Sequence, residues 1–478
     1  MSPPLRFQGS RHNARSLALQ VLLESERHEG FVQEILDRQL LSGVELSPAD
    51  RRLATHLVYG VHRRRGTLMA LLQPLVTRPA DQVESWLWDT LCLGAYQLAL
   101  LTQIPVHAAL NETVELANAC GRPGARGFIN GVLRSLSRRI TPQIRAEPGA
   151  DALPLEGGTY RVLTQATFPD PSRDPGGYLA QAFGFPEWLA RRWMKRMGQD
   201  EAFRMGFWFA GPAPLTLRVQ PLLCSREAML DRLREAGISA SPGEHPQAIR
   251  LRDHMPIPEL PGYAEGWFSV QDESAMRVGS ALHPAPGSRV LDVCAAPGGK
   301  TCHLAELMGN RGEIIACDIR EDRLATVTSL ARRLHLDVIQ TRRVEAENPQ
   351  SLPGGPFDAI LVDVPCSNTG VLGRRPEARW RLRQEEMRHL TRVQERLLRA
   401  ALDRLAPGGK LVYSTCSIEP EENGLMVRGV LAGQPSLFLE AEEEASPGRP
   451  ADGGYWARLR RSDPKSAAGK TSRGAREA

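Results

Sequence analysis

The sequence predicts an α/β domain on a parallel, doubly wound sheet, preceded by an all-α helical domain and a small α+β subdomain. Three observations predict it. From residue 284 onward, short apolar runs alternate with amphipathic helical segments, the order of a parallel sheet with crossover helices. Within that region the run RVLDVCAAPGGKT (residues 289–301) reads as strand, glycine turn and helix. Ahead of it, residues 13–140 carry only helical periodicity, and residues 185–283 follow a strand–helix–strand–strand order.

Taken in order, residues 1–12 read as a disordered basic head. Leu17, Val21 and Leu22 then share one helical face. Ser47-Pro48-Ala49-Asp50 opens the next helix, with a capping serine and a proline in the first turn. That helix carries Leu53, Leu57, Val58 and Val61. Residues 85–101 form a strongly apolar helix, residues 105–120 another ending at Gly121, and Phe128, Ile129, Val132, Leu133 and Leu136 mark the last. A bundle over residues 12–140 is a normal domain size. Residues 141–184, rich in Pro, Gly and Asp, read as a linker in which Tyr160, Phe168 and Tyr178 could partly pack. A helix begins at Pro186, residues 215–219 alternate like a strand, and Ser225 caps a helix with Met229, Leu230 and Leu233. Residues 248–251 and 266–270 supply further strands, so residues 185–283 read as a small RNA-recognition-like subdomain.

The domain over residues 284–461 has a second strand, 313–317, ending on Asp318, then a helix over 320–334 and a strand over 336–340. FDAILVD (357–363) is a buried strand, 385–405 a long helix, 410–414 a strand and 420–431 a helix with proline in its first turn. Residues 436–451 read as an acidic loop, GGYWARLRR as a late strand, and 462–478 as a disordered basic tail.

Composition bounds the function. A chain of 478 residues with 42% apolar content supports two or three domains with real cores. Its net charge of +5 does not mark a nucleic-acid binder by itself, because a whole-chain charge hides local patches. No apolar run approaches the ~20 residues of a membrane span, and the N-terminus lacks a signal-peptide core. A cytoplasmic, monomeric protein without membrane contact is expected. The eight cysteines form no C-x-x-C pair and no zinc-finger spacing with histidine, so no metal site is expected. Most of them read as small core residues.

The turn Cys294-Ala295-Ala296-Pro297-Gly298-Gly299-Lys300 is neither G-x-G-x-x-G nor the P-loop pattern. A nearly side-chain-free turn lets a ligand reach backbone amides at a helix N-terminus, and Asp318, 20 positions after Gly298, sits where an acid commonly accepts from ribose hydroxyls. S-adenosylmethionine, with a ribose and a carboxylate but no phosphate, suits that arrangement. The alternative is a glycine turn that only lets a helix pack on its strand.

Two cysteines stand apart from the rest. Cys366 follows the strand 357–363 and Cys416 follows the strand 410–414, where α/β sheets build their binding sites, as do Asp318 and Asp363. The alternative is two buried thiols in tight loops. Methyl transfer to pyrimidine carbon has a use for a thiol. C5 is a weak nucleophile until a thiolate adds to C6 and leaves C5 enamine-like, one hard step split into two easier ones. A second thiol or an acid can then help expel the sulfur. A helix N-terminus beyond Cys416 favours its thiolate, while Glu419, Glu421 and Glu422 oppose it.

These motifs carry a resemblance. VCAAPGGKT, VDVPCSNTGVLGRRPE (362–377) and YSTCSIEPEENG (413–424) resemble the RNA 5-cytosine methyltransferases. IPVHAALNETVELA (104–117) with RGFINGVLR (126–134) resembles the NusB-like helical RNA-binding domain, which stands in front of a group of ribosomal RNA methyltransferases. The resemblance implies a Rossmann-like S-adenosylmethionine methyltransferase domain behind a NusB-like domain, acting on a cytosine C5 of small-subunit ribosomal RNA. It implies Cys416 as nucleophile and Cys366 as promoter of product release. Residues Cys294, Ala295, Ala296, Pro297, Gly298, Gly299 and Lys300 would bind the cofactor, Asp318 its ribose, and Glu345 the adenine side. Asp363 would lie where cofactor and target cytosine meet. Glu345 stands where Asp is common, Val364 where Ala is usual, Glu377 where Asp is usual, and Arg375 replaces a histidine.

Arg63, Arg64, Arg65, Arg134, Arg138 and Arg139, and near the cysteine loop Arg374, Arg375, Arg379 and Arg381, could contact RNA phosphates or simply solvate helix ends. An unstacked base is required to reach C5 and C6, so a loop or flipped nucleotide is expected. Transfer RNA as substrate, or a non-catalytic RNA-binding assembly factor, are the competing readings. The second of these predicts eroded motifs, which this chain does not have.

Overall fold

The computed structural model describes residues 13–27, 30–41, 46–252, 255–346 and 348–463. The basic head expected over 1–12, and the tail beyond residue 463, lie outside the described residues. The chain divides into two compact units. One runs to Pro212 and includes Leu372–Arg381; the other comprises Ala213–Val371 and the chain from Leu382 on.

The first unit opens with six helices among the described residues: α1 (Ala14–Arg27), α2 (Val32–Leu41), α3 (Pro48–Leu72), α4 (Ser85–Leu100), α5 (Val106–Ala119) and α6 (Arg126–Ser137). The Ser47 hydroxyl accepts from the Asp50 N–H at 3.1 Å, the cap its sequence predicts. α4 is buried on almost every side, from Trp86 to Ala99, which is why its sequence is apolar all round.

The stretch read as a linker is folded. β1 (Ile140–Arg145), β2 (Ala152–Pro154) and β3 (Tyr160–Leu163) form an antiparallel sheet in the order β1-β3-β2, followed by α7 (Pro175–Phe183). The Tyr178 hydroxyl donates to the Ala152 carbonyl at 2.7 Å, and its ring packs against Phe168, Phe183 and Phe203. Strands this short, separated by Gly- and Pro-rich turns, leave no periodicity to read; the aromatics were their one signal. α8 (Glu187–Met197) and α9 (Gln199–Ala210) follow and cluster with this unit.

Several arginines considered for RNA contact hold this unit together instead. Arg64 is buried and donates to the carbonyls of Pro154 and Ala182. Arg65 pairs with Asp89 and Glu26. Arg63 donates to the Gly373 carbonyl at 2.8 Å. Arg379, on α14 (Ala378–Arg381), is wholly buried, with its guanidinium on the carbonyls of Arg63, Phe183, Gly184 and Phe209. Arg375 stacks over Phe31 at 4.0 Å. A planar five-donor cation is suited to gathering carbonyls from segments far apart in sequence, and local sequence cannot show that use.

The second unit begins with β4 (Leu215–Val219), α10 (Arg226–Glu235), β5 (Ala240–Pro242), β6 (Ala248–Leu251) and β7 (Phe268–Val270), an antiparallel sheet in the order β5-β6-β4-β7. α11 (Glu273–Leu282) follows and packs into the core of the larger sheet through Val278, Ala281 and Leu282. The larger sheet comprises β8 (Arg289–Asp292), β9 (Glu313–Asp318), β10 (Ile339–Arg343), β11 (Phe357–Asp363), β12 (Leu405–Thr415), β13 (Leu437–Ala445) and β14 (Gly454–Arg461). Among the described residues its order is β10-β9-β8-β11-β12-β14-β13. The first five strands are mutually parallel, and β14 and β13 close that edge as an antiparallel pair.

α12 (Gly299–Leu307) and α13 (Glu321–Arg333) lie with α11 over one face; α15 (Gln384–Leu402) and α16 (Gly424–Leu431) cover the other. The acidic loop expected over 436–451 is thus largely a strand. Its glutamates meet arginines of the surrounding elements, Glu440 pairing with Arg458 and Arg460 of the neighbouring strand, Glu442 with Arg428 and Glu443 with Arg277, so charge pairing replaces apolar alternation. The helix expected from residue 420 starts only at Gly424, because Pro420 to Asn423 are held in a turn by side chains described below. Ser462, assigned to the tail, donates its N–H to the Ser436 carbonyl at 2.8 Å.

The small sheet is fastened to α12 by a buried ion pair. Arg218 meets Glu306 at 2.6 Å, both side chains essentially inaccessible, and donates also to the Gly299 carbonyl at 2.8 Å.

Candidate active site

Three neighbouring parallel strands bring the predicted residues to one edge. β8 lies beside β11 and β11 beside β12, with Leu361 opposite Asp292 and Asp363 opposite Ser414. The turn after β8 and the two cysteine loops therefore leave the sheet together, at the carboxyl ends where such folds bind ligands.

The turn after β8 is built from backbone. The Ala295 N–H donates to the Cys317 carbonyl and the Gly298 N–H to the Ala295 carbonyl, both at 2.8 Å. Gly298 sits at φ 104°, and a Cβ there would lie 3.0 Å from the Val327 Cα, so both conformation and packing require glycine. A Cβ on Gly299 would meet only Gln271, at 3.8 Å, leaving the start of α12 open. Cys294 is half-buried and packs on the sheet core. The Asp318 carboxylate accepts from the N–H groups of Ala296 and Arg320 at 3.3 and 3.1 Å, which points it back at the turn. Below, Asp292 is fully buried. The Thr301 hydroxyl donates to one of its oxygens at 2.7 Å, the other has no partner, and burial pushes the carboxyl up to about 7.

Lys300 turns away from the rest of the cofactor set and meets Asp363 at 2.7 Å. The Ser414 hydroxyl donates to the other Asp363 oxygen at 2.7 Å. Burial works against the Lys300 charge, but Asp363 and the nearby Cys416 sulfur outweigh it, and its pKa lies above the ordinary value. Glu345 is not brought in with the others. It is exposed, and its carboxylate accepts from Asn348 of its own turn at 3.0 Å.

The two sulfurs, Cys366 and Cys416, stand 3.6 Å apart. Cys366 is buried and Cys416 half-buried, so Cys416 is the one offered to the outside. The hydrogen bond to the Cys416 sulfur, burial, and the charges of Cys416 and Glu422 push the Cys366 thiol well up, keeping its proton on. Asn368, at a left-handed φ of 59° that asparagine tolerates, joins the loops: its amide donates to the Cys366 carbonyl at 2.9 Å and its oxygen lies 3.6 Å from the Cys416 sulfur. The Gly370 N–H donates to the Cys416 carbonyl at 2.9 Å, and a Cβ on Gly370 would collide with that carbonyl and with Gly453.

The sequence reading counted Glu422 only as a nearby negative charge. The structure buries it completely between the cysteine loops. One carboxylate oxygen accepts from the Ser367 N–H and the Gln394 amide, each at 2.9 Å; the other accepts from the hydroxyls of Ser367 and Ser417. The Tyr413 hydroxyl donates to the Glu422 carbonyl at 2.6 Å, and the Asn423 side chain binds Thr415 and the Ser417 carbonyl. These bonds make the turn that delays α16. Its helix N-terminus is consequently further from Cys416 than the sequence suggested.

The residues present fit S-adenosylmethionine. The backbone turn with an open helix start suits a small ligand, Asp318 retains lone pairs for ribose hydroxyls, and one buried oxygen of Asp292 is left without a partner next to the turn. Among the described residues there is no cluster of three His, Cys, Asp or Glu side chains able to hold a metal. No described helix is long and apolar enough to cross a membrane.

Comparison with known proteins gives three matches along the chain. Residues 279–453 match the family described as 16S rRNA methyltransferase RsmB/F, residues 12–138 the NusB family, and residues 185–258 the ferredoxin-like domain of RsmF/B-like methyltransferases. The "Probable ribosomal RNA small subunit methyltransferase B" of Synechocystis is 36% identical over 438 residues, covering 91% of this chain and 92% of that protein. The ribosomal RNA small subunit methyltransferase B of Klebsiella pneumoniae is 35% identical over 464 residues, covering 94% and 98%. Among solved structures, that of PH0851 shares the fold at a TM-score of 0.74 and 22% identity, over 95% of this chain and 100% of that one.

Proposed function

The chain belongs to the 16S rRNA methyltransferase RsmB/F family, and from that premise we propose that it methylates C5 of a cytosine in small-subunit ribosomal RNA through a covalent adduct of Cys416 with C6. The observation that carries this reading is the pair of thiols 3.6 Å apart beside the Lys300–Asp363 ion pair. Oxygen and nitrogen methylation need no such pair; an aromatic carbon does.

Residues 294–299 and Asp318 would hold S-adenosylmethionine, which supplies an electrophilic methyl group when bound. Asp363, oriented by Lys300 and Ser414, accepts from the cytosine amino group, which uracil lacks. The Cys416 sulfur bonds to C6, and the displaced electron pair makes C5 nucleophilic. Bonding to carbon removes the negative charge from that sulfur and ends its role as partner to Cys366. Two of the causes that hold the Cys366 proton in place are thereby withdrawn, so Cys366 becomes a stronger acid. C5 would take the methyl group that the bound cofactor supplies; Cys366, its own proton released to water, then takes the C5 proton as a thiolate, the C5 electron pair re-forms the ring double bond, the C6–sulfur bond breaks, and Cys416 leaves as thiolate.

The test is transfer of a labelled methyl group to small-subunit ribosomal RNA and, separately, to transfer RNA, with nucleotide analysis of the product. The expected product is 5-methylcytosine in the ribosomal RNA only, absent with Cys416→Ala. Label on a nitrogen or an oxygen, or on transfer RNA alone, overturns the proposal.

A further inference from the structure

We propose that Glu422 is the positioning residue that sets the separation of the two thiols, a role that rests on the two-cysteine reading above. Ser367 directly follows Cys366, and Ser417 directly follows Cys416. The same Glu422 oxygen accepts from both serine hydroxyls, so one atom spans the two loops. Its second oxygen fixes the Ser367 N–H and the amide of Gln394, which also donates to the Pro365 carbonyl just before Cys366 at 2.9 Å.

Four donors exhaust the acceptor capacity of a carboxylate. A buried charge satisfied in this way resists displacement, because any movement of either loop leaves a donor or the charge unpaired. Nothing in the arrangement directs Glu422 toward a substrate. Its carboxylate faces inward and acts on chemistry only through where it holds Cys366 and Cys416.

Chain length makes the role specific. Aspartate would withdraw the carboxylate by about 1.5 Å, the length of one carbon–carbon bond. Glutamine keeps the reach, and the serine hydroxyls can turn to accept from its amide group.

Four variants, Glu422→Gln, Glu422→Asp, Glu422→Ala and Ser417→Ala, are assayed on small-subunit ribosomal RNA beside Cys366→Ala. The readouts are kcat, KM for RNA, cofactor affinity, and the fraction of protein in an RNA adduct that survives denaturation. Glu422→Asp and Glu422→Ala are expected to lose kcat about 100-fold, the cost of a ~1 Å misplacement, with little change in KM. They should accumulate adduct as Cys366→Ala does, whereas Glu422→Gln retains kcat within about fivefold. Turnover near wild type in Glu422→Ala or Glu422→Asp overturns the role, as does a Glu422→Gln variant as poor as alanine, which would indicate charge instead of position. If the alanine and aspartate variants do not fold, Ser417→Ala decides: trapped adduct supports the role and wild-type kcat removes it. Cys366→Ala without adduct refutes the two-cysteine reading itself, an outcome separate from the Glu422 results.

Discussion

The sulfurs of Cys366 and Cys416 face each other across 3.6 Å although fifty residues separate them in the chain. Adjacent parallel strands place the loops side by side, and side-chain hydrogen bonds from Asn368 and Glu422 bring them together. Their burial is unequal, Cys366 being buried and Cys416 half-buried.

Removing Cys416 should change the acidity of its neighbour. The hydrogen bond to Cys416, together with burial, holds the Cys366 thiol well above its ordinary range. In Cys416→Ala the bond and the adjacent charge are gone, so Cys366 should titrate at lower pH than in wild type. Alkylation rate against pH, followed by mass spectrometry of the peptide bearing Cys366, measures this. An unchanged profile would mean that burial alone controls the thiol.

Breaking the Lys300–Asp363 pair should cost both activity and stability. Asp363→Asn leaves the Lys300 cation in a partly buried site beside a neutral amide, a loss of about 1–3 kcal/mol after allowing for its partial exposure. Because the Lys300 pKa is raised on folding, the stability it contributes is complete below the ordinary lysine value of 10.5 and disappears as pH rises through the folded value. The difference in denaturation midpoint between wild type and Asp363→Asn should therefore be constant from neutral pH to that point and shrink above it.

Asp292 has the opposite practical consequence at neutral pH. Its carboxyl is raised from 3.8 to about 7 by burial, so folding favours the protonated form. That contribution is fully present below pH 3.8 and is lost as pH rises through about 7. In the ligand-free protein, Asp292→Asn, which keeps an acceptor for Thr301, should be more stable than wild type at pH 8 by about 1–4 kcal/mol. The advantage should vanish at acidic pH. Denaturant titrations at two pH values check both halves.

The arginines should separate into two classes. Arg379→Ala strips the cation from four carbonyls in a buried site and should destabilise the first unit by about 3–5 kcal/mol, measured by chemical denaturation. Arg134 and Arg138 are exposed on or just after α6. Alanine there should leave folding unchanged and, if RNA phosphates are the partner, lower the salt dependence of RNA binding by about one unit of slope per arginine.

Some of this was legible from local pattern. A glycine turn between an apolar strand and a helix identifies itself, because backbone geometry dictates its residues: Gly298 at positive φ beneath Val327 admits no side chain. The strand FDAILVD, buried on both faces, likewise declared its position to the residue. β1 to β3 did not, because short antiparallel strands joined by Gly- and Pro-rich turns resemble a linker in composition. Nor did β13, whose glutamates are explained by arginines that folding brings to them from β14, α16 and α11.

The sequence by itself determined the alternating strands and helices of the parallel sheet, the nearly side-chain-free turn, and the place of the two cysteines and of Asp363 at strand ends, because each is a local requirement of backbone geometry or apolar burial. Only the tertiary structure decided which charges are used and where. Lys300 belongs to Asp363, Arg379 to four carbonyls, and Glu422 to the serines that follow the two cysteines. A charged side chain reads alike in any sequence whether solvated or buried; its role is set by partners that folding alone brings within hydrogen-bond distance.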